Sequence, residues 1–261
     1  MHRLIFIMSG IGVALSLQAC VAEETTPLRN LMHTEVDDYA EFYSARNMIY
    51  LGGGLAAGAL LANTSVDLHI RNWYQNDVRS ESTDHFAKSA KYFGEGAIAC
   101  PVFAGAWVIG FVGEDEGVTG DIGEWGSRSL RTLIVGGPPL LAFQRILGSG
   151  RPTDGSDSKW VPFKDDNGAS GHAFIGAIPF LSAAEMVDSR AAKCLLYAGS
   201  SLAGLSRVND DMHYTSQVLV GWWLAYLAET SVDRSETKRM RFEPVPIVID
   251  GHPGVALSFA F

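Results

Sequence analysis

The chain has 261 residues, 47% of them hydrophobic and 19% charged, with a formal net charge of −9. This length fits one compact domain with a leader and a tail, and the composition is the reverse of a disordered chain. The acidic excess excludes an extended nucleic-acid surface, which needs clustered Lys and Arg. It leaves room for a local basic site.

His2-Arg3 followed by an apolar stretch to Leu17 reads as an export signal over residues 1–19. Leu17-Gln18-Ala19-Cys20 resembles a bacterial lipobox, in which Cys20 becomes the lipidated first residue of the mature protein. The expected location is the cell envelope on the periplasmic side, with the membrane as a partner through that lipid. Residues 20–37 are polar and aperiodic, as in a tether.

Helix-like segments follow at 39–62, 84–92, 94–112, 127–147, 172–187, 191–205 and 214–229, separated by Gly, Pro, Asn, Asp and Ser clusters such as 113–123 and 148–159. They predict an all-α bundle over residues 38–230. In the tail, 231–261, a charged stretch at 233–241 precedes two partly alternating runs around a turn at 250–254, a pattern that resembles a short β-hairpin.

Residues 47–66 and 96–113 are uncharged, but the first contains Gly52-Gly53-Gly54 and the second Pro101. The other apolar runs are shorter than the roughly 20 residues of a span. These runs are therefore read as core helices of a water-soluble domain rather than as a multi-pass membrane protein. Cys100 and Cys194 lie in apolar stretches, where a buried free thiol is the usual state and a disulfide forms only if the two are close.

Three stretches carry chemistry. Gly148-Ser149-Gly150-Arg151-Pro152 ends a helix with a guanidinium on a stiff turn. Ser170-Gly171-His172 opens a helix with a hydroxyl, an unobstructed backbone N–H and an imidazole. Ser206-Arg207 with His213 adds a second guanidinium and a second imidazole. Two Arg forks and a helix N-terminus suit a phosphate trianion. Two His allow one to attack phosphorus while the other protonates the leaving oxygen.

In order and spacing these stretches resemble the motifs Lys-x6-Arg-Pro, Pro-Ser-Gly-His and Ser-Arg-x5-His-x3-Asp. That set belongs to type 2 phosphatidic acid phosphatases, bacterial acid phosphatases and vanadium haloperoxidases. The resemblance covers about residues 141–229. It implies a helical bundle hydrolysing lipid phosphates or small organic phosphates, with no metal and no cofactor. It implies His213 as the nucleophile forming a phosphohistidine, His172 as the general acid, and Arg151, Ser170, Gly171 and Arg207 as phosphate ligands. Two alternatives stand beside it: a haloperoxidase using vanadate in the same pocket, and a non-catalytic envelope lipoprotein that binds phosphate groups.

Three positions depart from the pattern: Gln144 stands for the Lys, Ala169 for the first Pro of the second motif, and Gln217 for the Asp. Arg145, Lys159 and Lys164 are candidates to restore the lost charge. Gln217, four residues after His213, shares its helical face and is expected to accept an imidazole N–H; Asp210 and Asp211 are candidates to supply the missing carboxylate. Asp210, Asp211 and His213 have no second ligand cluster, so no metal is expected. Gly52-Gly53-Gly54 lacks the Gly-Lys-Ser/Thr of a nucleotide loop and reads with Gly58 as a close helix contact. Trp222-Trp223 reads as core or an interfacial anchor.

Overall fold

The computed structural model describes residues 4–5, 27–113, 117–241, 243–249 and 252–259, with side chains over 34–113 and 117–239. Most of the stretch read as an export signal, Cys20 and the first part of the stretch read as a tether lie outside the described residues.

The architecture is all-α, as expected. In chain order the helices are α1 (Pro27–Phe42), α2 (Ala45–Asn63), α3 (Val66–Trp73), α4 (Glu81–Ala90), α5 (Gly96–Val112), α6 (Gly117–Leu147), α7 (Gly171–Glu185), α8 (Arg190–Gly199), α9 (Leu202–Asn209) and α10 (Thr215–Arg241). Side-chain caps set several starts. Ser44, Ser170 and Ser189 each accept from the N–H three residues on, and Ser80 and Thr83 form a reciprocal capping box before α4.

Helix α10 is the hub, packing against α1, α2, α3, α6, α7 and α9. Its Leu224, Ala225, Leu227 and Ala228 join Val135 and Leu140 of α6 and Phe174, Ile178 and Leu181 of α7 in one buried cluster. Each large side chain fully buried there contributes about 1.5–3 kcal/mol.

After α10, strands β2 (Glu243–Ile249) and β3 (His252–Phe259) pair antiparallel from Glu243 opposite Ser258 to Ile249 opposite His252. Leu4–Ile5, the short strand β1, lies on the other side of β3.

Four segments differ from the sequence reading, each for a tertiary reason. Helix α1 starts at Pro27, inside the stretch read as tether. Its Asp38 is fully buried and receives a two-pronged contact from Arg131, at 2.7 Å on both oxygens. Helix α6 starts at Gly117, inside the stretch read as a break. Glycine is a poor helix former, but a Cβ on Gly123 or Gly126 would lie within 2.5 Å of the α5 backbone, so these glycines let two helices touch.

Helix α3 falls where the sequence suggested none. Finally, α10 runs past the expected boundary at 230 through the charged stretch. Its Glu236 pairs with both Arg128 and Arg131, and Asp233 lies 3.5 Å from Arg128. Both guanidiniums are buried, so the charged run is the counter-ion layer of α6 and not a solvated tail.

Glu229 sits in this layer. It is buried, accepts from Thr132 at 2.5 Å and Ser182 at 2.8 Å, and has Arg128 at 3.8 Å. Burial pushes its carboxyl up to about 7 against the hydroxyl bonds that favour the charged form. A raised folded pKa gives stability that is present below the unfolded value near 4.5 and lost as pH rises through 7, about 3 kcal/mol in all. Glu229→Gln is therefore expected to raise the melting temperature at pH 8 and to flatten its fall between pH 5 and pH 8. An unchanged slope in thermal melts counts against this assignment.

Both thiols are free. Cys100 is partly buried on α5, whereas Cys194 is exposed on α8, against the expectation of burial. The glycine contact narrows to Gly54 and Gly58, which meet Trp223 and Val220 of α10; Gly52 and Gly53 face open space. Trp222 and Trp223 pack against the core and stack on Tyr226. No single described helix is long and apolar enough to cross a membrane. The bent pairs 45–63 with 66–78 and 81–94 with 96–112 reach that length and composition together, across bends of 70° and 51°.

Candidate active site

The first wall of the site is the turn after α6. Gly148 has φ of +62°, and a Cβ there would meet the Val161 carbonyl at 1.9 Å, so only glycine closes the helix. The chain then passes Ser149, whose hydroxyl donates to Ser158 O at 2.9 Å, and reaches Arg151, whose Nε donates to Asn167 Oδ1 at 2.7 Å. Asn167 thus orients the first guanidinium.

The second wall is the N-terminus of α7. Ser170 is fully buried; its Oγ accepts from Ala173 N and its own N–H donates to Gln217 O at 2.8 Å. The first N–H groups of α7 lack helical partners and bear the positive end of the dipole. Gln144 donates to Ala169 O at 3.2 Å, and its Nε2 lies 3.6 Å from where a Cβ on Gly171 would sit. This bond braces the turn that the motif's Pro would stiffen.

Gln144 is therefore at the site, but the candidates to restore its charge are not. Arg145 is 73% exposed with Asp166 at 3.8 Å, Lys159 faces Asp157 at 3.7 Å, and Lys164 is exposed. Helix faces explain the first: Arg145 is one position on from Gln144, about 100° around α6.

The third wall is the segment from α9 into α10. Arg207 is buried and pairs with Asp210, while its Nε has no partner among the described residues. A buried guanidinium N–H without an acceptor is costly, and an anion oxygen would satisfy it. Asp211 takes Arg71 instead, so neither aspartate supplies a carboxylate to His213.

That position belongs to Gln217 alone among the described residues. Its Oε1 accepts from His213 Nδ1 at 2.8 Å and from Tyr214 N at 3.1 Å, and its Nε2 donates to Ser149 Oγ at 2.8 Å and Gly150 O at 2.7 Å. A backbone carbonyl only accepts and a backbone N–H only donates. The amide orientation is thereby set, Nδ1 carries the proton, and Nε2 is left with its lone pair.

A family model described as the PAP2 superfamily matches residues 138–241, from late α6 to the end of α10. Over these residues the chain is similar to the PAP2 superfamily. No curated protein and no solved structure gives a match. That similarity points to phosphatase-type hydrolysis of phosphate esters. Arg151, Ser170, Gly171, His172, Arg207 and His213 all fall in the PAP2 segment, whereas α1 to α5 lie outside it.

The electrostatics of the PAP2 site follow from burial and its two guanidiniums. Burial, aided by Arg151, Arg207 and His172, pulls His213 down to about 4, against the raising effect of Gln217. Its imidazole is neutral at neutral pH, as a nucleophile must be. His172 is lowered by burial and by Arg207, with Arg151 adding to the shift, while Glu95 acts against them from 3.6 Å. A bound phosphate dianion would offset the two Arg and favour protonation of His172. Gly94 sits against the His172 carbonyl, where a Cβ would approach within 2.4 Å.

Sequence reasoning missed Asn167 and Glu95, which carry no motif of their own, and gave Ser149, inside the first motif, no role. It also missed Asp67 and Arg71, whose i, i+4 spacing was the available signal.

Proposed function

We propose that the chain is a phosphomonoesterase that passes the phosphoryl group through His213. The observation that carries this reading is the Gln217 amide, which holds the proton on Nδ1 and leaves Nε2 free beside two guanidiniums. Arg151, Arg207 and the α7 N-terminus bind the three non-bridging oxygens.

Nε2 attacks phosphorus, the P–O ester bond breaks, and His172 gives its proton to the leaving oxygen. Neutral His172 then takes a proton from water, whose oxygen attacks the phosphohistidine. The P–N bond breaks, and phosphate and the resting His213 are restored.

The reading is tested by phosphate release in the presence of a chelator, from phosphatidic acid in vesicles and from soluble monoesters. An acid-labile phosphoenzyme should be trapped with the better substrate. Binding of inorganic phosphate with no turnover on either class would leave a degenerate binder. Halide oxidation by peroxide after vanadate addition would instead select the haloperoxidase. The cell-envelope location is supported by the resemblance to a lipobox; palmitate labelling lost in Cys20→Ser is expected, and an unlabelled wild-type chain recovered from the cytoplasm would refute it.

Glu95 gives a directional test of the general acid. Glu95→Gln removes the carboxylate that raises His172, so the alkaline limb of the kcat profile is expected to move to lower pH. An unmoved limb separates Glu95 from the proton donor.

A further inference from the structure

Helix α3 and the π turn that follows it, Tyr74–Val78, lie outside the PAP2 segment, yet their polar residues converge on its catalytic loop. Asp67, Arg71 and Gln75 are four residues apart and therefore share one face. Gln75 Nε2 donates to Val208 O at 2.9 Å and Asn209 O at 3.3 Å, and Tyr74 Oη donates to Asn209 Oδ1 at 3.2 Å. Arg71 grips Asp211 with Nε and Nη2, at 2.7 and 2.5 Å. Asp67, fully buried, accepts from Ser216 N at 3.0 Å.

The contacts fall on both sides of His213. Asp211 has φ of +57°, a left-handed conformation that costs a non-glycine residue about 1–2 kcal/mol and needs anchoring. Ser216 stands in the first turn of α10, where a carboxylate satisfies an orphan N–H and meets the positive end of the helix. His213 lies between these anchors, with its own N–H on Arg207 O at 3.3 Å.

We infer that Asp67 and Arg71 are positioning residues that set the attacking nitrogen of His213 by clamping its loop at Asp211 and Ser216. The inference rests on the phosphohistidine reading above. The Arg71–Asp211 pair is partly solvated, with side chains 33% and 19% exposed. Pairs of this kind add little global stability, so the clamp acts mainly on local geometry. A reacting group displaced by about 1 Å can lose on the order of 10²-fold in rate.

The test uses the full chain with para-nitrophenyl phosphate as substrate and inorganic phosphate as a competitive inhibitor. Arg71→Ala is expected to lower kcat by at least about tenfold, with the phosphate inhibition constant changed by less than about threefold, since the other donors stay in place. Arg71→Lys and Asp67→Asn, which keep one contact each, should fall between this variant and wild type, and they carry the test if Arg71→Ala does not fold.

A second readout needs no turnover. With histidine 15N-labelled, the His213 signal is assigned by its loss in His213→Ala. In wild type its Nδ1 should show the protonated signature and its Nε2 the unprotonated one. In Arg71→Ala the two should drift toward averaged values.

The inference is overturned if kcat stays within about twofold and the ring signals do not move. It is also overturned if kcat, phosphate affinity and melting temperature fall together, which is the mark of a structural role alone. If wild type releases no phosphate from any monoester, the functional reading fails, and the ring signals still decide the clamp.

Discussion

His213→Ala is expected to reduce phosphate release by at least about 10³-fold, the scale on which removal of a covalent nucleophile is felt. Inorganic phosphate should still inhibit whatever residual turnover remains, because Arg151, Arg207 and the α7 N-terminus are untouched. The phosphoenzyme should disappear from acid-labile trapping. His172→Ala differs in kind: a general acid contributes about 10²–10⁴-fold, and the loss should shrink for a leaving group such as para-nitrophenolate, which departs without a proton. Measuring both variants on an alkyl and an aryl phosphate separates the roles. Equal losses on the two substrates for both variants would contradict the assignment of acid and nucleophile.

The second large effect is expected at Gln217. Gln217→Ala removes four hydrogen bonds around His213 and frees the imidazole to adopt the wrong tautomer, a fault that costs about 10⁴-fold in a serine protease triad. The motif's Asp suggests that a carboxylate should raise turnover, yet the structure argues the opposite for this chain. Gln217 Nε2 donates to the Gly150 carbonyl, which a carboxylate cannot do.

Gln217→Glu would set two acceptors face to face in a buried site, and Gln217→Asp would be a methylene too short to reach both partners. Both variants should lose turnover at neutral pH. Gln217→Glu should also melt lower at pH 8 than at pH 5, since only its protonated form can donate to Gly150. Faster turnover in either acidic variant would show that a missing charge limits the rate.

Much of the site is legible in the sequence because each motif sits at a helix boundary and carries its own chemistry. Ser170 caps α7, Arg151 comes three residues after the left-handed Gly148, and the four-residue spacing brings Gln217 to His213, although His213 stands in the bend before α10 and not on its face. What the sequence hides are partners chosen by tertiary contact. Asp210 and Asp211 look equally available to His213, and only the fold gives one to Arg207 and the other to Arg71.

The fold shows the same division. The apolar periods of α2, α5, α7 and α10 are visible in the chain, whereas α3 is not, because it is held by the polar Asp67 and Arg71, which bond to other protein groups. The start of α6 was obscured by glycines whose use is to admit a neighbouring helix. Local propensity reports the cost of such residues and not the contact that offsets it.

The length of α10 sets what can be transplanted. The PAP2 segment begins at residue 138, after Arg128 and Arg131, while the acids that neutralise them, Asp233 and Glu236, lie inside it. A chimaera joined at that boundary would part the two halves of a buried ionic lattice and leave each with uncompensated charge. Recombination that preserves function would therefore carry at least α1 and the whole of α6 with α10. The inherited unit is larger than the stretch its motifs mark.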